Sequence, residues 1–97
     1  MTVAYTLRAL AQADLEKIWL YTRQVWGVER ADSYLQALLS RFDWLVANPE
    51  AGKKRDDIKI GYFCFPEGTH LIFYTRHNNK IDIIGIPHQR MDIISHL

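Results

Sequence analysis

Gly61-Tyr62-Phe63-Cys64-Phe65, His70-Leu71-Ile72-Phe73-Tyr74 and His88-Gln89-Arg90-Met91-Asp92 follow one another at close spacing in the last third of this 97-residue chain. The first two stretches are rich in aromatic and β-branched residues, which suit a half-buried pleated surface. Strand-like segments are expected at Ile58–Phe65, His70–Arg76 and Lys80–Ile86. Pro66-Glu67-Gly68 and His77-Asn78-Asn79 carry turn chemistry between them, and loops this short force antiparallel hairpins. The third stretch is a polar cluster that closes the chain.

Upstream of this meander the period changes. Val3, Tyr5 and Leu7 alternate with polar or small residues, predicting a short first strand. A helix is expected from about Leu10 to Trp26, because Leu15, Ile18, Trp19, Thr22 and Val25/Trp26 form one stripe. Asp14 and Glu16 lie toward its N-terminal end, where the helix dipole favours acids. Gly27 is placed to stop it. A second helix is expected from Val28 to Ala47, with Ala31, Leu35, Leu38, Phe42 and Leu45 repeating at helical spacing and Tyr34 widening the stripe. Asn48-Pro49 ends it. So short a connection predicts an antiparallel helix hairpin. Glu50 to Asp57 reads as a polar loop, and Met91 to Leu97 as either a last helical turn or a tail. The fold class is α+β: an N-terminal strand and an antiparallel helix hairpin packed on a small antiparallel sheet.

At this length one domain, 1–97, is expected. A net charge of +1 gives no electrostatic steer toward nucleic acid, membrane or acidic substrates. One cysteine, Cys64, excludes an internal disulfide and suits a reducing cytosol. No apolar run approaches the ~20 residues that span a bilayer, and no signal peptide is recognised, so a cytoplasmic location is expected. No cofactor is expected. Cys64 should face the core or lie beneath a partner, and the histidines lack metal-ligand spacing.

The chain resembles the ParE toxins of the RelE/ParE superfamily of bacterial toxin–antitoxin modules. The resemblance rests on Ala13-Asp14-Leu15 with Ile18 and Tyr21, Trp26-Gly27, Ala31 with Tyr34 and Leu35, and Leu45 with Pro49 and Gly52. It continues through Ile58 with Gly61-Tyr62, His70 with Ile72-Phe73-Tyr74, and His88-Gln89-Arg90-Met91-Asp92 before His96-Leu97. It implies a toxin held inactive by a ParD-type antitoxin, whose disordered C-terminal half folds over it, and a DNA gyrase target trapped on cleaved DNA. No membrane is involved, and DNA is contacted only through the antitoxin or gyrase. One departure stands out: Gly85-Ile86-Pro87 replaces a basic residue followed by two apolar ones. Loss of that basic side chain weakens a target contact, and Pro87 should end the last strand.

Three readings remain open for His88, Arg90 and Asp92: acid–base machinery, a surface turn holding the chain end, or a gyrase contact. His88, Gln89, Arg90, Met91 and Asp92 are taken as target-binding, with Met91 an adaptable apolar contact. Catalytic residues are assigned to none. The RelE-like alternative, a ribosome-dependent mRNA endoribonuclease, and a non-toxic antitoxin-binding relic stand beside this reading. Tyr21, Val25 and Leu39, off the main stripes, together with Leu15 and Trp19 are expected to form an apolar groove for an antitoxin helix. Ile81 and Ile83 mark a free edge of the last strand for an antitoxin segment. Trp19, Trp26 and Trp44 are read mainly as core, and Lys53-Lys54-Arg55 as a solvated loop. Arg76 and Lys80, with Lys59, extend a basic patch only if they face one side. His70 should hydrogen-bond the neighbouring turn. Trp19→Glu is expected to reduce antitoxin binding or folding, and removal of Ile93 to Leu97 to abolish toxicity with binding intact.

Overall fold

Gly27 stands between two helices and serves both. Its φ of 97° lies where only glycine is comfortable. Its N–H closes α1 (Ala9–Trp26) on the Arg23 carbonyl, while its own carbonyl accepts from Ala31 to open α2 (Val28–Ala47). With no further linker, the helices fold back on each other and pack side by side. The computed structural model describes residues 5–97. Val3, expected in the first strand, lies outside them.

Five strands form one sheet in the order β1-β5-β4-β3-β2: β1 (Tyr5–Leu7), β2 (Lys53–Lys54), β3 (Phe63–Glu67), β4 (His70–His77) and β5 (Lys80–Gly85). The meander is antiparallel, but β1 runs parallel to β5, with Tyr5 opposite Ile81 and Leu7 opposite Ile83. The sheet is therefore mixed. A parallel neighbour requires a long connection, and here the helix hairpin carries the chain to β2 at the far edge, from which the meander returns to β5. This corrects the expected free edge: β5 is paired on both sides, and Ile81 and Ile83 are buried in the core. The exposed edges are β1 and the two-residue β2.

Strand boundaries also moved. Ile58–Tyr62, expected as strand, is a tight turn in which Gly61, at φ 91°, donates to Asp56 Oδ1. Pro66 and Glu67 belong to β3, so the first turn narrows to Gly68-Thr69. Asn78 and Asn79 both take positive φ, the signature of a two-residue hairpin turn matched to strand twist. The polar loop holds a 3-10 turn, Pro49–Ala51, before β2. The last strand stops at Gly85, short of Pro87 as expected, and a short α3 (Ile93–His96) ends the chain.

Two apolar clusters hold this together. On the helix side, Leu38, Phe42 and Leu45 of α2 and Ile18 of α1 meet Ile72, Tyr74, Ile81 and Ile83 of the sheet. Burying each such side chain stabilises the fold by roughly 1.5–3 kcal/mol. On the other face, Tyr62, Cys64, Phe73 and Ile84 are covered by Ile58, Ile93 and Leu97. A register irregularity between Phe73 and Tyr74 inserts one extra residue in β5. Ile84 faces the second cluster by ordinary alternation with Ile83, and the extra residue shifts the phase so that Ile86 returns to the first.

Candidate functional site: a groove between the helix hairpin and the C-terminal segment

Asp14 sits in the interior of α1, past its first turn, so the helix dipole is not what it serves. It is buried and accepts the Ile86 backbone N–H at 2.8 Å and the His96 ring Nε2–H at 2.8 and 2.9 Å. A buried carboxylate is tolerated only when its oxygens are occupied. Asp14 thus ties α1 to the end of β5 and to α3. Asp92 caps α3 by accepting from the Ser95 N–H and Oγ–H.

His88 lies beside His70, forming an isolated antiparallel bridge with it; the rings meet edge-on at 5.3 Å. The Leu71 N–H donates to the Pro87 carbonyl and the Gln89 N–H to the Thr69 carbonyl, both at 2.9 Å. The chain after Pro87 therefore runs along the start of β4. His70 Nδ1 is 2.7 Å from the Tyr34 hydroxyl, which also accepts from the Thr69 N–H and donates to the Glu67 carbonyl. These bonds close when Nδ1–H donates to the Tyr34 oxygen. Burial, reinforced by the neighbouring His88 charge, pulls the His70 pKa down to about 4. His70 is a neutral post between α2 and the turn, the structural role expected of it.

These elements enclose a largely apolar groove of about 840 Å³. Lys17, Ile18, Tyr21, Thr22 and Trp26 line it from α1, and Arg30, Ser33, Tyr34 and Ala37 from α2. Gly68, Thr69 and His70 form one end; Ile86, His88, Met91 and His96 close the other wall. Tyr21 and Trp26 are about two-thirds exposed, at 66% and 64%. Arg30 lays its guanidinium over the Trp26 ring at 5.2 Å, and Arg23 covers Trp19.

The groove joins some of the expected residues and leaves out others. His88 and Met91 line it, whereas Gln89, Arg90 and Asp92 are exposed outside it. Tyr21 lines it, and Val25 is half exposed beyond its lining. Leu15 is buried in the core, as are Ile81 and Ile83, and Leu39 packs against that core. Trp19 is partly buried, donating Nε1–H to Asp32 at 2.9 Å across the hairpin. The reading of the tryptophans as core fails for Trp26 and for Trp44, which is 39% exposed with Arg41 over its ring at 4.8 Å.

Sequence reasoning missed Trp26, Lys17, Arg30 and Tyr34 as groove residues. A signal existed: Ile18, Thr22 and Trp26 recur every four residues, and Arg30, Tyr34 and Ala37 at four and three. Those rows adjoin the core stripe on each helix and so face the groove beside the hairpin. Gly85 is also reinterpreted. A Cβ there would lie 2.7 Å from the Leu97 side chain and 3.2 Å from Leu10. Glycine lets the Leu97 side chain pack back on β5, and a larger side chain there would have to displace it.

Comparisons with known proteins agree with this architecture. A family model described as "ParE toxin of type II toxin-antitoxin system, parDE" matches residues 5–93. "Toxin ParE1" of Mycobacterium tuberculosis is 40% identical over 94 residues, covering 96% of each chain. "Toxin ParE1" of Caulobacter vibrioides is 36% identical over 93 residues, again 96% of each. "Toxin ParE" of Escherichia coli is 30% identical over 95 residues, 97% of this chain and 92% of that one. A solved structure titled "Chromosomal ParDE TA system from P. aeruginosa" superposes with a TM-score of 0.75 over 89% of this chain and 95% of its own. At 21% identity, that match shows the shared fold. With a family model matched over residues 5–93 and relatives 36–40% identical across nearly the whole length, the chain belongs to the ParE toxin family of type II toxin–antitoxin systems.

Proposed function

We propose that this toxin acts by binding a topoisomerase, DNA gyrase, in the bacterial cytoplasm, and that a ParD-type antitoxin neutralises it by filling the groove. One observation supports this reading above the others. His88 and Met91 share a single concavity with Tyr21 and Trp26. An amphipathic antitoxin helix seated against the hairpin then covers part of the segment offered to the target, so neutralisation needs no refolding of the toxin. Apolar anchors of the Tyr and Trp type, desolvated at the centre of a contact, carry most of an interface's affinity. Gln89, Arg90 and Asp92, exposed beyond the groove, are left to orient the target.

Inhibition by binding works through differential affinity. The toxin stabilises whichever gyrase state it prefers, and a preference for the cleaved-DNA state accumulates breaks. The test uses purified gyrase, relaxed plasmid and the full chain. Accumulated cleaved plasmid, reversed by the antitoxin and lost with Met91→Glu, is the expected result. Normal supercoiling in the presence of the toxin, with transcripts cut instead, would overturn the reading in favour of the RelE-like alternative.

A further inference from the structure

The far end of the sheet carries a second cleft, of about 460 Å³, that the groove does not reach. β4 runs the length of the sheet between them: His70 at its start lines the groove, while Arg76 and His77 at its end line the cleft. Eight strand residues put these ends roughly 23 Å apart. The cleft lies beneath the end of α2, where Val46 and Pro49 form an apolar wall with Phe63 and Ile81.

Its polar members have one sign. Arg76, His77 and Lys80 line it with the amides of Asn78 and Asn79, and among the described residues none of those lining it is a carboxylate. Glu50 on the 3-10 turn is the nearby acid, acting on the Tyr74 hydroxyl alongside Arg76. The register extends the cationic row. Phe63 pairs with Lys54 on one side and Tyr74 on the other, so Lys54 shares the face of Phe63 and Arg76. Lys54, Arg76 and Lys80 are all exposed. Lys80 pairs with His77, one position out of phase with Arg76, and lines the cleft from the hairpin end and not from the same face. The chain as a whole is nearly neutral, so this concentration is local.

The arginine is held ready. Its guanidinium lies over the Phe63 ring at 5.5 Å, and Phe63 in turn stacks on the buried Tyr74 at 5.6 Å with 22° between planes. A guanidinium fixed by its face presents its N–H edge outward, the geometry that binds phosphate with little further ordering. A rigid asparagine turn adds neutral donors beside it. A solvated row of lysines would have neither feature.

We infer that the cleft lined by Arg76 and Lys80, with Lys54 on the adjoining strand, binds the phosphate backbone of a polynucleotide strand. This goes beyond the groove and its antitoxin: it gives the toxin a direct hold on nucleic acid, where the resemblance implies contact only through the antitoxin or gyrase. Cations gathered at one cleft suit consecutive phosphates, read without base contacts.

The test measures fluorescence anisotropy of labelled single-stranded DNA and RNA of about 20 nucleotides with the purified full chain, from about 50 to about 200 mM salt. Wild-type protein should bind both strands, with affinity falling as salt rises. Arg76→Gln with Lys80→Gln should weaken binding at least about tenfold and flatten the salt slope by about 1–2. Lys54→Gln with Lys80→Gln touches no buried group and guards against a folding artefact; it should move the slope the same way. Thermal melts confirm that each variant is folded. No binding of either strand at the lowest salt, or an unchanged slope in both folded variants, would overturn the proposal. So would a polyglutamate peptide that binds the wild type as tightly as the oligonucleotides, since the cleft would then be a site for acidic protein.

Discussion

The Asp14 carboxylate and the His96 ring, 82 positions apart, meet at 2.8 Å, and the same carboxylate holds the backbone of Ile86. One buried acid therefore ties both the end of β5 and α3 to α1. Asp14 also lines the groove, as does His96, so the tie that fixes the chain end shapes the candidate site. Because α3 has only four residues, it cannot be stable by itself; its position comes from this contact and from Ile93 and Leu97.

Replacing Asp14 tests the tie. Asp14→Ala strands the Ile86 N–H and the His96 ring in a buried site, and should lower stability by about 2–4 kcal/mol. Asp14→Asn keeps an acceptor for Ile86 and should cost about 1–2 kcal/mol. Denaturant midpoints measure both, and equal midpoints for the two variants would show that the acceptor kept for Ile86 contributes nothing.

The structure also changes what a tail deletion can report. Removing Ile93 to Leu97 takes Ile93 and Leu97 from the second cluster and leaves Asp14 with one partner. The truncated chain should unfold at markedly lower denaturant, so its loss of toxicity would not isolate a target contact. Met91→Glu is cleaner, since Met91 is exposed. It should change stability by less than about 0.5 kcal/mol, abolish growth inhibition, and weaken antitoxin binding because Met91 shares the groove.

At the hairpin, Tyr21→Glu and Trp26→Glu should each weaken antitoxin binding by about 2 kcal/mol, roughly thirtyfold. Their thermal midpoints should stay close to wild type, because both rings are mostly in solvent. Trp19→Glu should behave differently. It breaks the bond to Asp32 inside the hairpin, so lost binding there should come with lost stability. Calorimetric titration beside thermal melts separates the two cases.

Gly52 is a packing site. A Cβ there would collide with the Tyr74 hydroxyl, which accepts the Gly52 N–H and donates to the Pro49 carbonyl. Gly52→Ala should destabilise by about 1–3 kcal/mol, although its backbone angles suit alanine. A thermal midpoint at or above wild type would mean that the 3-10 turn shifts freely.

Acid should loosen the turn around His70. Its pKa is depressed to about 4 in the folded chain, against 6.5 for an unperturbed histidine. Between those values the unfolded state holds the extra proton, so stability rises with pH across that window and falls as pH drops through it. Discounted for the ring's partial exposure, the loss from pH 6.5 to 4 is about 1–2 kcal/mol. His70→Gln should flatten this slope in denaturant titrations at stepped pH.

Reading the chain as a string of letters was enough for its helices, its meander and its family. Local rules decide those: Leu35, Leu38 and Phe42 at helical spacing, Gly27 where a left-handed angle is needed, Asn78-Asn79 at a tight hairpin. What no local rule contains is which strand lies beside which. Placing β1 parallel to β5 buried Ile81 and Ile83 and removed the edge expected there, because a strand's neighbours are chosen by the packing of the whole sheet. The same holds for Trp26, whose stripe looks apolar but whose ring stays about two-thirds exposed beneath Arg30. It holds equally for Asp14, read from sequence as an acid suited to the helix dipole until His96 and Ile86 arrive from the far end of the chain. Periodicity tells each residue which side of its own element it occupies. Only the assembled fold determines what stands opposite, since burial and pairing are properties of contacts made over long sequence distances.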